Sequence, residues 1–288
     1  MDIRSIGMGL AFALMWSSAF STARMIVMDA PPLTALSVRF LISGMIGVAI
    51  AALMGQSWRL SRGQWRSVMI FGICQNALYL GLNFVAMQWV EASVSAIIAS
   101  TMPLLVAILG WLFLGQSVRP LGMAGLVAGV IGVAIIMGSR MSGGVSLAGL
   151  GLCMLGALAL AIATLTARGA SSQGNVLMIV GLQMLVGAAV LSVFAVTTEE
   201  WQVNWTPRLG FAFAYTTLVP GLIATWIWFR LIERIGAVRA ATYHFLNPFF
   251  GVAVAAVLLN EQLGLLDILG VAIVAGGILA VQLSKQTR

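Results

Sequence analysis

The chain has 288 residues, of which 61% are hydrophobic and only 8% are charged. Soluble domains carry about 25% charged residues, so this composition excludes a soluble globular protein and indicates an integral membrane protein. The net charge of +7 is read as a signal of membrane orientation. The lipid bilayer is the expected partner of this chain, and nucleic acid is not.

About 20 consecutive apolar residues cross the hydrocarbon core as a helix. Breaks with proline, glycine or charge divide the chain into ten such spans, which predicts an all-α integral membrane fold with ten transmembrane helices. The first span could be mistaken for a secretory signal because Arg4 precedes it, but nine further spans favour a retained helix. The predicted spans are roughly residues 5–28, 33–54, 65–90, 93–115, 119–138, 147–168, 175–197, 208–232, 238–259 and 264–283.

The first two spans offer aromatic, hydroxyl and charged side chains. Trp16 and Phe20 share one face of the first helix, as do Ser17 and Ser21, so this helix can present rings and hydroxyls to the interior. We predict that Trp16, Ser17 and Phe20 bind the substrate. Arg39 lies about seven residues into the second span, roughly 10 Å deep at helical rise. It could bind a substrate carboxylate, but a structural or gating anchor is the favoured interpretation.

The third span carries a polar stripe. Gln75, Tyr79 and Asn83 recur at four-residue intervals and therefore share a face of a regular α-helix, with Asn76 alongside. A polar face inside a membrane is expected to look inward, toward a ligand or toward hydrogen-bonding partners on neighbouring helices. The sequence leaves both interpretations open, and it predicts Gln75, Tyr79 and Asn83 as candidate substrate contacts.

Prolines interrupt three later spans. In the eighth span, Tyr215 and Trp226 stand three turns apart, and Pro220 between them should bend or break the helix. Tyr215 is a candidate wall for an aromatic substrate. Pro103 and Pro248 break the fourth and ninth spans and are predicted hinges. Tryptophans near predicted span ends are instead expected at lipid headgroups; they are Trp89, Trp201, Trp205 and Trp228.

The ninth span holds the only histidine of the chain, in the stretch RAATYHFLNPFFG. Pro248 lacks an amide hydrogen, and its ring crowds the carbonyl of His244 four residues earlier. Polar backbone at membrane depth is tolerated only where protein or a water-filled cavity surrounds it. We therefore predict that Tyr243, His244 and Asn247 contribute to the substrate site. The alternative is a plain proline kink, with His244 hydrogen-bonded to a neighbouring helix.

Basic residues predict the orientation of the chain. With a cytoplasmic N-terminus, only Arg24, Arg140 and Arg208 fall on the outer side. Because loops on the cytoplasmic side carry an excess of Lys and Arg, this asymmetry places both termini in the cytoplasm. The residues on the inner side are Arg4, Arg59, Arg62, Arg66, Arg119, Arg168, Arg230, Arg234, Arg239, Lys285 and Arg288.

The two halves of the chain resemble each other. A gap-free alignment of the halves pairs Pro103 with Pro248. Further identical pairs are Ala92 and Ala237, Ala96 and Ala241, Leu114 and Leu259, Leu121 and Leu266, Gly125 and Gly270, and Gly132 and Gly277. We therefore predict two five-helix repeats, residues 1–140 and residues 141–288. An odd number of spans inverts the second repeat, as in secondary transporters whose substrate site lies at the midplane between halves.

The fifth span carries a glycine stripe. Gly125, Gly129 and Gly132 permit close contact with another helix. That helix could belong to the same fold or to a second copy, so a monomer and a homodimer are both compatible with the sequence. Packing within the fold is the simpler interpretation.

The start of the chain resembles a known family. The segment GLAFALMWSSAFSTARMIVMDAPPLTALSVRF contains Trp16, Phe20, Pro31, Pro32, Arg39 and Phe40. It is similar to the first two helices of EamA-type carriers of the drug/metabolite transporter superfamily. The helices that end in LFLGQ and VLLNE, each followed by a glycine-spaced span, resemble the same family. The resemblance covers essentially the whole chain and is strongest to bacterial exporters of aromatic amino acids.

The resemblance implies a carrier of the bacterial inner membrane with a central cavity that opens alternately to either side. Its expected function is the export of amino acids, aromatic and other neutral ones, and of related small metabolites. Other metabolites or cationic drugs are the alternative substrates. Small multidrug members of the superfamily use a buried glutamate in the first helix for proton exchange. The first helix here, GLAFALMWSSAFSTA, has no acid, so that route is not expected.

Missing motifs narrow the remaining functions. The chain has no GxxxxGK[ST] loop and only one lysine, which excludes an ATP-driven pump within this chain. One histidine and two separated cysteines, Cys74 and Cys153, predict no metal site, and no cofactor is expected. His244 has no acidic partner in its own span, so no enzyme is predicted. An intramembrane hydrolase and a passive channel stay as minor alternatives.

Overall fold

In the computed structural model, the residues described are 3–115, 119–141, 146–166, 174–235, 240, 242–262 and 264–286. Within these ranges the regular secondary structure is helical, without β-strands. The helical segments are α1 (Ile3–Asp29), α2 (Pro32–Leu53), α3 (Arg62–Ile70, Phe71–Leu80 and Gly81–Ala86), α4 (Ala92–Ser100 and Met102–Leu114), α5 (Pro120–Met141), α6 (Leu147–Thr166), α7 (Val176–Thr198), α8 (Pro207–Leu218, Val219–Ile223 and Ala224–Ile235), α9 (Thr242–Leu246 and Asn247–Leu259) and α10 (Leu265–Gln286).

Most of these helices can cross a membrane. Among the described residues, eight are long and apolar enough, namely α1, α2, α3, α4, α6, α7, α8 and α10, while α5 and α9 form shorter apolar helices. The prediction of an all-helical, multi-pass membrane protein is therefore confirmed, and the helix bounds agree with the predicted spans to within about one helical turn. Several residues used for orientation and for the repeat alignment lie outside the described residues: Arg168, Ala237, Arg239, Ala241 and Arg288.

Helices α3 and α8 each contain a π-helical segment. In α3 this segment is Phe71–Leu80, and in α8 it is Val219–Ile223. A π turn is closed by i→i+5 hydrogen bonds and is frequent at functional sites. In α8, Pro220 has no amide hydrogen to donate, and the chain continues through it in the wider π turn. The helix therefore adapts at Pro220 without ending there.

Helices α4 and α9 are interrupted next to the matched prolines. In α4 the break is at Thr101, and Pro103 lies in the first turn of the second half. In α9 a 3₁₀ turn changes to α-helix at Asn247, and Pro248 lies in the first α-helical turn. Proline is tolerated at such positions because first-turn amides have no partner within the helix. Both predicted breaks are present, and hinge motion at them stays a prediction.

Glycines bring α5 and α10 into backbone contact. A Cβ atom placed on Gly125 would lie 2.6 Å from the carbonyl oxygen of Gly277, and one placed on Gly132 would lie 2.9 Å from that of Gly270. The glycine stripe therefore packs within the fold. Because the earlier glycine of α5 meets the later glycine of α10, the two helices run antiparallel. Helices α2 and α7 form a similar extensive pair.

Helix α1 has a central position. It contacts all three segments of α8, as well as α9 and the first half of α4, whereas α3 packs on α6 and α7. Its side chains Phe12, Ala13 and Ile26 are almost completely buried. The face of α1 that does not pack on α8 and α9 is directed toward α2 and α3, and the candidate site lies there.

Candidate functional site

A small cavity lies among α1, α2, α3 and α8. Its volume is about 60 Å³, room for a few water molecules but not for a metabolite. The lining is mostly aromatic and aliphatic, with Arg39 as its charged member. The lining residues are Trp16, Ala19, Phe20, Ala23, Arg39, Tyr79, Leu80, Asn83, Phe84, Met87 and Pro220. The structure thus brings together four predicted site residues: Trp16, Phe20, Tyr79 and Asn83.

The residues of the polar stripe predicted on α3 have different surroundings in the structure. Tyr79 and Asn83 line the cavity, whereas Gln75 is half-buried and outside the lining. Asn76 turns toward α7, where its Nδ2 donates to the carbonyl oxygen of Gln183 at 2.9 Å. Gln75 therefore lies outside the cavity, although the sequence spacing predicted a face shared with Tyr79 and Asn83.

Asn83 is held by partners within the fold. Its Nδ2 donates to the carbonyl oxygen of Tyr79 at 2.7 Å, and Ser95 Oγ donates to its Oδ1 at 2.7 Å. The bond from Ser95 joins α3 to α4 and matches the structural alternative considered for the polar stripe. Tyr79 is 3% exposed, so its ring is enclosed between the cavity and the packed helices.

Neighbouring residues of α1 have different partners. Trp16 faces the cavity, whereas Ser17 Oγ donates to the carbonyl oxygen of Asn247 on α9 at 3.2 Å. Ser18 Oγ and Tyr215 Oη share a hydrogen bond of 2.9 Å between α1 and α8. Ser17 and Tyr215 are therefore helix-to-helix contacts beside the cavity and are not part of its lining.

An aromatic cluster fills the space between α1, α8 and α9. Phe12 stacks on Trp228 with ring centroids 4.6 Å apart, and His244 meets both rings edge-on, 5.3 Å from Phe12 and 4.9 Å from Trp228. Phe12 also contacts Trp16, with centroids 5.6 Å apart, so the cluster is continuous with the cavity. Trp228 is half-buried in this cluster, and its predicted position at the lipid headgroups stays a prediction. Trp226, by contrast, is 56% exposed and forms no wall of the cavity.

His244 and Asn247 are hydrogen-bonded to each other. Asn247 Nδ2 donates to His244 Nδ1 at 2.9 Å, while Asn247 Oδ1 is buried without a hydrogen-bond partner. Tyr243 packs its ring on Gly9, and its hydroxyl donates to the carbonyl oxygen of Ser5 at 3.3 Å. These three predicted site residues thus lie together at the α1–α9 contact, outside the cavity lining.

Two carboxylates accept hydrogen bonds near the connection between α1 and α2. Asp29 accepts hydrogen bonds from Arg208 Nη2 at 2.9 Å and from Thr206 Oγ1 at 3.0 Å. Glu199 accepts from the amide nitrogens of Leu33 and Thr34 at 2.7 and 2.8 Å, which caps the start of α2. Beside them is a surface groove of about 1100 Å³. These contacts fix the α7–α8 connection across this end of the molecule.

Comparison with known proteins identifies the family. The sequence profile of the EamA-like transporter family matches residues 3–138 and again residues 147–283. The chain belongs to the EamA-like transporter family. It is accordingly a multi-pass membrane protein of a family of transporters.

Similar proteins agree with this assignment of an EamA-like transporter. The uncharacterized transporter YvbV of Bacillus subtilis is 24% identical over 97% of this chain and 92% of its own length. The uncharacterized inner membrane transporter YedA of Escherichia coli strain K12 is 27% identical over 96% of this chain and 90% of its own length. A solved structure superimposes with a TM-score of 0.70 at 18% identity and covers 99% of both chains, so the fold is shared.

Seven lining residues of the cavity in this EamA-like transporter were not assigned to the substrate site from the sequence: Ala19, Ala23, Arg39, Leu80, Phe84, Met87 and Pro220. Arg39 was predicted to be a structural or gating anchor, and Pro220 was predicted only to bend α8. The signal for Arg39 was present, because a charge within a membrane span is a functional candidate by default. No sequence signal places Pro220 against α1, since that contact depends on the packing of α8.

Proposed function

We propose that this EamA-like transporter is a secondary carrier that exports amino acids, aromatic and other neutral ones, and related small metabolites by alternating access. The observation that carries this proposal is the cavity lined by Trp16, Phe20, Tyr79 and Phe84 inside a membrane protein of a transporter family. Ring-lined pockets with a few polar groups suit an aromatic or apolar guest.

The packing of α5 on α10 supports an inverted repeat of residues 1–140 and 141–288, with ten membrane-crossing helices. The repeat alignment equates Gly125 with Gly270 and Gly132 with Gly277. Exchanging the halves therefore converts the contact of Gly125 with Gly277 into that of Gly270 with Gly132, and both contacts occur. Repeats inserted the same way up would make α5 and α10 parallel, whereas the two helices are antiparallel.

Transport requires the cavity to grow, because its present volume cannot hold an amino acid. We place the inner closure at the aromatic cluster of Phe12, Trp228 and His244. Separation of this cluster would extend the cavity from Trp16 toward Asn247. The remaining predicted contacts, which join the substrate site in that open form, are Ser17, Gln75, Tyr215 and Tyr243.

The broken helices α4 and α9 are proposed to bend as the cavity changes sides, with hinges at Pro103 and Pro248. Each proline follows an interruption in regular hydrogen bonding, where a change in backbone angles costs least. With both termini in the cytoplasm of a bacterial inner membrane, export is movement toward the side where Asp29 and Glu199 lie. As a secondary carrier, the protein follows the gradients of its solutes in either direction.

The test is uptake of labelled tryptophan by proteoliposomes preloaded with unlabelled tryptophan or threonine, with and without a pH gradient. We expect saturable uptake confined to amino-acid-loaded vesicles, since exchange needs a substrate on both sides of a carrier. Accumulation driven by the pH gradient would identify proton coupling.

The controls separate the alternative functions. Vesicles that take up tryptophan without saturation and without preloading would indicate a passive channel. If the folded protein transports no amino acid but exchanges other metabolites or cationic drugs, the proposed substrate class is wrong and the proposal of a secondary carrier stands. Empty vesicles prepared with the same lipid set the background flux.

A further inference from the structure

The cavity contains an arginine with no carboxylate partner among the described residues. Arg39 is 6% exposed, and its Nε is buried without a hydrogen-bond partner. Three carboxylates near the ends of helices have other partners. Asp29 binds Arg208, and Glu199 and Glu261 accept from backbone amides at the starts of α2 and α4.

Contacts with aromatic rings offset only part of the cost of this charge. Placing an arginine within a membrane span is unfavourable, and less so toward an end of the span. The guanidinium carbon of Arg39 lies 4.7 Å from the ring centroid of Phe40 and 5.8 Å from that of Phe84. Such cation–π contacts stabilise the charge. They supply no hydrogen-bond acceptor, so the need of the buried Nε for one persists.

We propose that Arg39 binds the carboxylate of the transported solute, which makes that solute an organic anion or zwitterion and not a cation. The planar guanidinium presents its donors in a fork that matches a carboxylate with two parallel hydrogen bonds. Trp16 and Phe20 line the same cavity and provide apolar surface for the rest of the solute. A cationic drug would meet a like charge at this point, which disfavours it.

The inference rests on the proposed function, because it takes this cavity as the transport site. Its test compares tryptophan with tryptophanamide, which has the same ring and amine but no carboxylate. Equilibrium binding of both labelled compounds is measured for the wild type, Arg39→Gln and Arg39→Lys in detergent. Arg66→Gln is the matched control. Arg66 is exposed, lies in the first turns of α3 and is not a lining residue of the cavity.

We expect the wild type and Arg66→Gln to bind tryptophan at least tenfold more tightly than tryptophanamide. Arg39→Gln should lose about tenfold in affinity for tryptophan, whereas its affinity for tryptophanamide should stay unchanged or rise because a like charge is removed. Arg39→Lys, which keeps the charge but not the fork, should fall between the two. Thermal unfolding of each variant without ligand confirms that it is folded.

Equal binding of both compounds by the wild type, or binding of neither, overturns the inference. So does an Arg39→Gln variant that keeps the preference for tryptophan. If Arg39→Gln does not fold, an unchanged preference in Arg39→Lys overturns the forked contact. If tryptophan binding depends on Arg39 but no exchange across a bilayer occurs, the carrier proposal is wrong and the carboxylate contact stands. If both compounds exchange at equal rates, the carboxylate contact is wrong and the carrier proposal stands.

Discussion

The cavity residues differ in how firmly the fold holds them. Asn83 is committed to hydrogen bonds with Tyr79 and Ser95, so its amide stabilises the α3–α4 contact. Trp16 is half-buried, lines the cavity and touches the aromatic cluster through Phe12. Trp16 can therefore contact a substrate in the cavity, and its surroundings change if the aromatic cluster separates. Trp16 is therefore the residue whose replacement best tests aromatic recognition.

We predict that Trp16→Ala raises the KM for tryptophan about tenfold and the KM for threonine less than about twofold. Aromatic pairs contribute about 0.5–1.5 kcal/mol beyond burial, and 1.4 kcal/mol corresponds to tenfold in affinity. Concentration-dependent exchange in proteoliposomes measures both constants. The control is Trp89→Ala, because Trp89 is 55% exposed and outside the cavity. Equal changes for both amino acids would show that Trp16 supports packing and not recognition.

Helices of this protein are positioned by small residues and by irregular turns. The backbones of α5 and α10 approach closely because glycine lies on both sides of the contact. Helices α3 and α8 each contain a π-helical segment, and both helices line the cavity.

We predict that Gly277→Ala lowers the free energy of unfolding by about 1–3 kcal/mol, the usual cost of overpacking. The new Cβ atom would lie 2.6 Å from the carbonyl oxygen of Gly125, so the backbones must separate. Gly276→Ala is the matched control, because a Cβ atom there has nothing within 4 Å. Thermal unfolding in detergent should show a lower midpoint for the first variant only. Equal midpoints would mean that the α5–α10 contact adjusts without loss of stability.

The molecule as a whole is closed around a cavity too small for its proposed solute. The aromatic cluster of Phe12, Trp228 and His244 closes one side, and the Asp29–Arg208 pair ties connections at the other end. Alternating access therefore needs movement of whole helices and not of one side chain. The interruptions in α4 and α9 are the hinges proposed for this movement.

We predict that Pro248→Ala slows tryptophan exchange about fivefold while changing the KM less than about twofold. The new amide hydrogen can donate to the carbonyl of His244 and extend the regular helix, and a hydrogen bond of about 1 kcal/mol accounts for that change in rate. Exchange rates at saturating tryptophan measure the effect. Pro120→Ala, at the start of α5, is the control. Unchanged exchange kinetics would contradict a hinge at Pro248.

The sequence by itself determined the class of protein, the positions of the spans and the sites of the helix breaks. Apolar composition permits only a membrane protein, span length follows from bilayer thickness, and proline interrupts hydrogen bonding wherever the helix packs. These properties depend on local chemistry, which a sequence displays directly.

Only the tertiary structure decided which polar residues meet. Gln75 lies outside the cavity that Tyr79 and Asn83 line, and the half-buried Trp228 packs on Phe12 because α8 contacts α1. His244 and Asn247 paired with each other outside the cavity, and Arg39 appeared without a partner inside it. Each outcome depends on contacts between helices far apart in the chain, and periodicity within a single helix carries no information about its neighbours.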